Sequence, residues 1–418
     1  MAEISTSTAS NGLPVHRIGI PGTRATTILV AFDAGARSER ADENGMAHFL
    51  EHLVFKGGEI YDDYRKVNET AERMGGSLNA YTSHDLVAFH ITVRAESAMP
   101  AIDLLTDFVG RPKIDPDELD RERGVVIQEI QRYKDQPASV AGELIDVAGF
   151  GDHPLGRPVL GPEEHLESFT RDQVVAFRER RWSGRTGGAF IVGNLEHLDA
   201  NGAVNEAFAR FPDLPVPEPF EKVTGFEPEV LVEERDSNQS HLRMLYRPKV
   251  DVTDPAQRAA LGIYATLLGG SMGSRLFDEI REQRGLAYSV FALNHFSADH
   301  GLLLLGAGLE SAKTDEAYRR MMEIVGELAT DGPTEEEVER ARAYAGGRRV
   351  LTFEDTNAVA SFAAGRAIVH GEGFDPDEAI ALIDAVTYDD VAEVARLVDP
   401  QELAVACVGP HKASEFAR

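Results

Sequence analysis

The amino-acid sequence contains two copies of one pattern of elements, and this internal duplication constrains the fold more than any other feature. Four landmarks recur at offsets of 214 to 217 residues: Glu96 and Glu310, Pro116 and Pro333, Thr170 and Thr387, Gly193 and Gly409. In each pair the local context matches as well, for example a proline followed by acidic residues that begin a helix. Chance accounts for one such match but not for four in register. The sequence therefore predicts two homologous domains.

Each copy combines helical segments with segments that have the polarity pattern of strands. The apolar residues of VAFHITV (87–93) alternate as in a half-buried strand, and AYSVFALNHF and GLLLLGAGLE predict strands in the second copy. A proline-rich stretch separates the copies. We predict an α+β fold in which each domain has a largely antiparallel sheet with helices packed against it. The predicted boundaries are 1–210 for the first domain, 211–229 for the linker and 230–418 for the second domain.

Composition and charge limit the classes of function. The net charge of −28 argues against a nucleic-acid partner. No apolar run approaches the length of a membrane span, and the first residues carry no secretory or organellar targeting pattern. Cys407 is the only cysteine, which excludes an intrachain disulfide and fits a reducing compartment. We therefore predict a cytoplasmic protein with no nucleic-acid or membrane partner.

Residues 48–52 read His-Phe-Leu-Glu-His within an apolar run that predicts a buried helix. Residues four apart share one helix face, so His48 and His52 could bind one metal ion with Glu51 beside them. Burying two imidazoles and a carboxylate is unfavourable unless something pairs with them. The order H-x-x-E-H also occurs among zinc-peptidase signatures. These observations favour a metal site, with a well-paired core cluster as the alternative.

A catalytic zinc site needs a third protein ligand and an open fourth position for water. Glu129 is the leading candidate for that ligand. Its helical stretch has an apolar face of Val125, Val126 and Ile130, so the carboxylate need not be fully solvated. Glu122 lies two helical turns earlier on the same face and is predicted to support the site. Taken alone, either glutamate is better explained as a charge on the surface of a helix.

The second copy lacks this constellation. It contains no H-x-x-E-H, and at an offset of 217 the counterpart of Glu129 is Gly346. This asymmetry is hard to explain if the residues served only folding. We therefore predict that the first domain alone carries the chemistry.

These motifs resemble the pitrilysin/insulinase family of inverted-motif zinc metallopeptidases. The closest branch is that of half-length members, which includes the mitochondrial processing peptidase β subunit and its bacterial relatives. The resemblance covers nearly the whole chain and rests on GARSERADENGMAHFLEHLVFKG, GGSLNAYTSHD, VVIQEIQRYKDQP, HPLGRPVLGPEE and GGSMGSRLFDEIREQRGLAYSV. It implies that His48, His52 and Glu129 bind one zinc ion per chain. It also implies that Glu51 is the general base and that Glu122 supports the ligands.

The resemblance also implies how a substrate is bound. The family's edge strand, to which an extended peptide adds by main-chain hydrogen bonds, matches four consecutive residues: Asn79, Ala80, Tyr81 and Thr82. Arg281 and Tyr288 match an arginine and a tyrosine that reach the substrate carbonyl region from the non-zinc half. A guanidinium and a phenol are suitable donors to a developing oxyanion.

Full-length relatives join two duplicated units into a clam-shaped chamber, and this chain resembles half of such a chamber. The resemblance therefore implies a dimer in which the partner's second domain supplies Arg281 and Tyr288 to each zinc site. Both sets of residues occur on this chain, so we predict a homodimer. A heterodimer with an inactive paralogue is the alternative.

The predicted function is that of a zinc-dependent metalloendopeptidase acting on peptides or short unfolded segments. One alternative is a non-catalytic structural or chaperone-like subunit of the same fold, although such proteins typically lose the metal or base residues. A second is a regulator with a structural metal site, but such a site has no need of Glu51 beside its ligands. Leader-peptide processing and degradation of free peptides are both compatible with the sequence.

Overall fold

The computed structural model describes residues 3–198 and 202–416. The strands are β1 Glu3–Thr8, β2 Pro14–Gly19, β3 Ala25–Phe32, β4 Ser77–Thr82, β5 Val87–Arg94, β6 Gly187–Gly193, β7 Val230–Glu234, β8 Gln239–Tyr246, β9 Ala287–Phe296, β10 Gly301–Glu310 and β11 Leu403–Gly409. The α-helices are α1 Met46–Val54, α2 Tyr64–Arg73, α3 Ala98–Phe108, α4 Pro116–Lys134, α5 Pro137–Phe150, α6 Glu163–Ser168, α7 Arg171–Arg181, α8 Gly202–Phe208, α9 Pro255–Ala265, α10 Thr314–Asp331, α11 Glu335–Phe353, α12 Thr356–Ala364, α13 Pro376–Asp384 and α14 Tyr388–Leu397. Short π-helical stretches occur at Thr266–Gly270, Phe277–Gln283 and Gly365–Val369. In the described ranges, no helix is both long and apolar enough to cross a membrane.

The strand order confirms the α+β fold and the duplication predicted from the sequence. The first sheet has the order β1-β2-β6-β3-β5-β4, and the second has the order β7-β11-β8-β10-β9. If β1 is set aside, each sheet has five strands, which can be numbered one to five along its own half of the sequence. In both sheets the spatial order is then one, five, two, four, three. In the described residues each sheet has one parallel pair, β2 with β6 and β7 with β11, and its other neighbouring strands are antiparallel.

By packing, the described chain divides into two compact units that each draw on both halves of the sequence. Unit 1 contains the described residues up to Ile130, Pro158–Glu221 and Leu351–Glu378. Unit 2 contains Gln131–Arg157, Lys222–Val350 and the described residues from Ala379 onward. Each unit therefore includes one helix from the opposite half of the sequence, α12 in unit 1 and α5 in unit 2.

The exchanged helices each cover a sheet face with apolar or hydroxyl side chains. Helix α5 buries Ile145 and Ala148 in a cluster with Leu245 of β8. Helix α12 packs on β3 and β6, where the hydroxyl oxygens of Thr356 and Thr27 are 2.8 Å apart. The predicted boundaries at 210 and 230 do not coincide with this packing, because chain order alone does not reveal which sheet an amphipathic helix covers.

The predicted linker has no helix or strand between residues 211 and 229, yet its first part is fixed to unit 1. Arg181 Nη1 donates to the carbonyl of Glu218 at 2.8 Å. The guanidinium of Arg37 lies 4.0 Å from the centroid of the Phe220 ring, a cation–π geometry. The segment up to Glu221 is therefore part of a packed unit and does not behave as a free tether.

Candidate metal centre

Helix α1 carries the H-x-x-E-H motif within the core of unit 1. Phe49 and Leu50 are fully buried in the main apolar cluster of that unit. At the start of the helix, the carboxylate of Glu39 accepts from the backbone N–H of Ala47 at 2.7 Å and from that of Gly45 at 3.0 Å. These bonds satisfy N–H groups that have no partner within the helix. Apolar packing and the bound N-terminus together hold the motif in a fixed orientation.

Three side chains meet in unit 1 at the position that the sequence predicts for a metal: His48 and His52 from α1 and Glu129 from α4. The Nε2 atom of His52 is 3.4 Å from Oε2 of Glu129, and Nε2 of His48 is 3.8 Å from the same oxygen. One ligand atom from each residue lies within 4.8 Å of the other two. Two imidazoles and a carboxylate are a known ligand set of catalytic zinc. The structure brings the three residues together, and their binding of a metal stays a prediction.

The apolar stripe of α4 differs by one residue from the predicted one. Val126 and Ile130 are buried, whereas Val125 is 50% exposed. Successive helical residues are rotated by about 100°, so Val125 cannot share the face that Val126 turns to the core. Glu122 and Glu129, which are two turns apart, both face the candidate site, with side chains 7% and 24% exposed.

Glu122 links His52 to a lysine that the sequence analysis did not identify. Its Oε1 atom is 2.9 Å from Nδ1 of His52, and its Oε2 atom contacts the ammonium of Lys56. Burial tends to raise the pKa of Glu122, but its hydrogen bonds with His52 and Lys56 hold that pKa below its usual range. An ionised Glu122 accepts from Nδ1–H, which leaves Nε2 of His52 free to bind a metal. Lys56 lies beyond the end of α1 at Val54, so no helical spacing in the sequence pointed to it.

The environments of the two histidines fit a bound cation. Burial, with a contribution from His52, lowers the pKa of His48 to about 3, so its imidazole is neutral. The Nδ1 atom of His48 is buried and has no hydrogen-bond partner in the described chain. Burial lowers the pKa of His52 too, but Glu122, Glu51 and Glu129 outweigh that effect and leave it raised. The carboxylates that favour a proton on His52 favour a metal cation for the same electrostatic reason. The donor set and its charge therefore fit zinc.

Glu51 lies beside the three candidate ligands and is 8% exposed. Its Oε2 atom accepts from the hydroxyl of Thr82 at 2.5 Å. Burial raises the pKa of Glu51, and this effect exceeds that of the Thr82 hydrogen bond, which lowers it. A carboxyl group with a raised pKa is suited to take up and return a proton near neutral pH. The sequence does not predict the contact with Thr82, because the resemblance implies only a place in the substrate strand for that residue.

The predicted substrate strand is β4, at one edge of the first sheet. In the described chain β4 pairs with β5 and leaves its other edge unpaired. The side-chain oxygen of Asn79 accepts from the backbone N–H of Ala80 at 2.9 Å. Burial raises the pKa of Tyr81, which is hydrogen-bonded to Ser361, so this side chain is held within unit 1. An unpaired edge permits addition of an extended peptide, and this role of Asn79, Ala80, Tyr81 and Thr82 stays a prediction.

Arg281 and Tyr288 lie in unit 2, where they contact each other. The guanidinium of Arg281 is 5.5 Å from the centroid of the Tyr288 ring. Tyr288 is 85% exposed on β9, and the side chain of Arg281 is 39% exposed. Both side chains are accessible on unit 2, and their role toward a substrate stays a prediction.

Unit 2 also contains a hydrogen-bonded chain of Ser240, His411 and Glu415. The hydroxyl oxygen of Ser240 is 2.8 Å from Nε2 of His411, and Nδ1 of His411 is 3.0 Å from Glu415 Oε2. The order of groups is that of a hydrolase triad, but Ser240 is completely buried. A buried hydroxyl is not accessible to a substrate. These hydrogen bonds instead hold the segment after β11 against β8.

Comparisons with known proteins agree with the fold. The family model for Insulinase (Peptidase family M16) matches residues 18–163, and that for the Peptidase M16 inactive domain matches residues 168–344. An uncharacterized zinc protease of Mycobacterium leprae is 31% identical over 414 residues, which cover 98% of this chain and 92% of the relative. YmxG of Bacillus subtilis, also named an uncharacterized zinc protease, is 30% identical over 408 residues, which cover 96% of this chain and 97% of the relative.

Two solved structures share the fold at low sequence identity. A peptidase M16 inactive domain from Pseudomonas fluorescens has a TM-score of 0.89 and 19% identity, with 98% of this chain and 99% of that chain covered. A protease from Helicobacter pylori has a TM-score of 0.90 and 19% identity, with 98% and 100% covered. The matches to both family models and to relatives over nearly the whole chain are decisive: this chain belongs to the insulinase family, peptidase family M16.

Proposed function

We propose that this protein is a zinc-dependent metalloendopeptidase that hydrolyses peptides or short unfolded segments. The observation that carries the proposal is the meeting of His48, His52 and Glu129, with Glu51 buried beside them. The names of the relatives as zinc proteases support it. A carboxylate beside three potential ligands is the arrangement that hydrolysis requires and that a structural metal site does not.

The proposed mechanism assigns a separate task to each residue. His48, His52 and Glu129 would hold one zinc ion, which when bound lowers the pKa of a coordinated water toward about 7 and polarises a carbonyl. Glu51 accepts a proton from the attacking water and returns it to the nitrogen of the departing amine. Glu122 keeps Nδ1 of His52 protonated, so that Nε2 stays directed at the ligand position.

The unpaired edge of β4 is the proposed binding site for the peptide main chain. Such binding selects extended segments, because a folded substrate offers few free main-chain groups. We place the reaction in an enclosed chamber, as the resemblance to clam-shaped relatives implies. A cytoplasmic location stays a prediction from the sequence.

Digestion of a peptide library tests this function. Purified protein is incubated with peptides of graded length as isolated, after dialysis against a chelator, and after zinc is returned. We expect cleavage at internal bonds, its loss on removal of the metal and its recovery with zinc, all read by mass spectrometry. Protein that contains stoichiometric zinc but leaves every peptide intact would support the non-catalytic structural or chaperone-like alternative.

We further propose a homodimer in which the partner subunit supplies Arg281 and Tyr288 to each zinc site. The proposal is supported by the presence of both residue sets on one chain and by the exposure of Tyr288. A phenol and a guanidinium that donate to the carbonyl oxygen would stabilise negative charge as it develops there. A heterodimer with a paralogue is the alternative assembly.

Mixing two inactive variants tests this assembly. Glu51→Gln removes the base, and the double variant Arg281→Ala with Tyr288→Phe removes the proposed donors. In a mixed homodimer one site would have both the base and the partner's donors, so we expect activity to reappear after the two proteins are mixed and allowed to exchange subunits. Verified mixed dimers without recovered activity would show that each site does not combine residues of two chains in this way.

A further inference from the structure

The hydrogen bond between Thr82 and Glu51 constrains the proposed base. Thr82 Oγ1 is 2.5 Å from Oε2 of Glu51, a distance typical of a hydroxyl that donates to an ionised carboxylate. A threonine hydroxyl can donate only one hydrogen bond, and here Oε2 of Glu51 accepts it. The bond therefore fixes the rotation of the carboxylate and leaves Oε1 as the oxygen without this donor.

The donor itself is held by the sheet. Thr82 is the last residue of β4, where it pairs with Val87 of β5. Val87 is completely buried, so Thr82 is attached to a part of the core that does not move freely. Glu51 is likewise held by α1, whose flanking apolar residues are buried. Two rigid elements thus meet at one hydrogen bond.

We propose that Thr82 is a positioning residue for Glu51, which it holds through Oε2 so that Oε1 alone exchanges the proton during hydrolysis. This inference rests on the proposed peptidase function. When water attacks, its oxygen bonds to the carbonyl carbon, the carbonyl π bond opens, one water O–H bond breaks and an Oε1–H bond forms. When the amine departs, the carbonyl π bond re-forms, the C–N bond and the Oε1–H bond break and an N–H bond forms, while Thr82 donates to Oε2 throughout. The hydroxyl of Thr82 neither gains nor loses a proton in the cycle.

The same contact connects the base to the strand proposed to bind the substrate. The unpaired edge of β4 would fix the position of a peptide relative to Thr82, and Thr82 fixes Glu51. A substrate aligned on β4 would therefore be aligned with the base as well. Small errors in such alignment reduce rates strongly. The sequence predicts a substrate-binding role for Thr82, whereas the contact with Glu51 assigns its side chain to the base.

Two substitutions at one position separate the hydroxyl from the shape of the side chain. Thr82→Val keeps the shape but removes the donor, and we expect kcat for peptide cleavage to fall by about 10–100-fold with KM changed by less than about twofold. Thr82→Ser retains a hydroxyl, and we expect it to recover most of kcat. Thr8→Val, the same change at the exposed last position of β1, is the matched control and should retain activity.

A double-mutant cycle measures the contact without relying on activity. Melting temperatures are compared for the wild type, Thr82→Val, Glu51→Ala and the double variant, each with its zinc content determined. We expect the shift of the double variant to differ from the sum of the single shifts by about 1–3 °C. Additive shifts would overturn the inference even if the protein proves not to be a peptidase.

The activity assays give the remaining decisive outcomes. A rise in KM with unchanged kcat in Thr82→Val would assign the side chain to substrate binding and overturn the inference. Equal losses in Thr82→Ser and Thr82→Val would also overturn it, because the hydroxyl would then not be the important group. If the wild type cleaves no peptide but the melting-temperature shifts of the double-mutant cycle are non-additive, the proposed function fails while the contact between Thr82 and Glu51 is confirmed.

Discussion

Replacement of Glu51 by glutamine is expected to reduce kcat for peptide cleavage by about 10²–10⁴-fold while the protein still binds zinc. The amide has nearly the shape of the carboxylate, and its oxygen can still accept from Thr82. It cannot take a proton from water at neutral pH. Because Glu51 is not among the three candidate ligands, loss of its charge should leave the metal-binding groups in place.

The measurement pairs steady-state kinetics with metal analysis of the same sample. Glu59→Gln is the matched control, since Glu59 is an exposed carboxylate paired with Arg111 on the surface. Burial raises the pKa of Glu51, which means that burying its ionised form costs stability relative to the unfolded chain. Glutamine should therefore not lower the melting temperature at neutral pH. Full activity in Glu51→Gln would remove Glu51 from the mechanism.

The fold was predictable from sequence to the extent that it is encoded locally or repeated. Alternation in VAFHITV marks a strand because each second side chain is buried. Strand β5 has this pattern from Phe89 to Val93, while Ala88 is buried as well. The repeated landmarks predicted two sheets of the same topology, which the strand orders confirm. The exchange of α5 and α12 between the units was not predictable. The sequence of each helix shows that it has an apolar face, but not which of the two sheets that face covers.

The candidate site shows the same limit. His48 and His52 are four residues apart, so helix geometry alone places them together. Glu129 is 77 residues beyond His52. The apolar face of its helix made it the leading candidate, but its assignment as the third ligand needed the resemblance to a family. The contact of Thr82 with Glu51 depends on where β4 lies against α1. The contact of Lys56 with Glu122 depends on the rotation of α4. Neither contact can be predicted from the spacing of these residues in the sequence.

Replacement of Glu129 by alanine is expected to reduce zinc affinity more than replacement of Glu122 or Lys56. Glu129 is the single anion among the three candidate ligands, and without it two imidazoles would share the metal with solvent. About 10–16 kcal/mol of zinc binding divided over four ligands is about 3 kcal/mol for each, or roughly 10²–10³-fold in affinity. Glu122→Gln and Lys56→Met disturb only the orientation of His52, so about 10–100-fold is expected for each. Competition with a chromophoric chelator measures these affinities.

Thermal unfolding provides a second measurement of the same site. A ligand that binds only the folded protein raises its melting temperature, so zinc should stabilise the wild type and have little effect on Glu129→Ala. Asp120→Ala is the matched control, because Asp120 lies on the same helix with its side chain 80% exposed and should leave the response to zinc unchanged. If Glu129→Ala binds zinc as tightly as the wild type, helix α4 does not supply the third ligand. The two histidines of α1 would then need a different third ligand, whereas Glu122 would still orient the imidazole of His52.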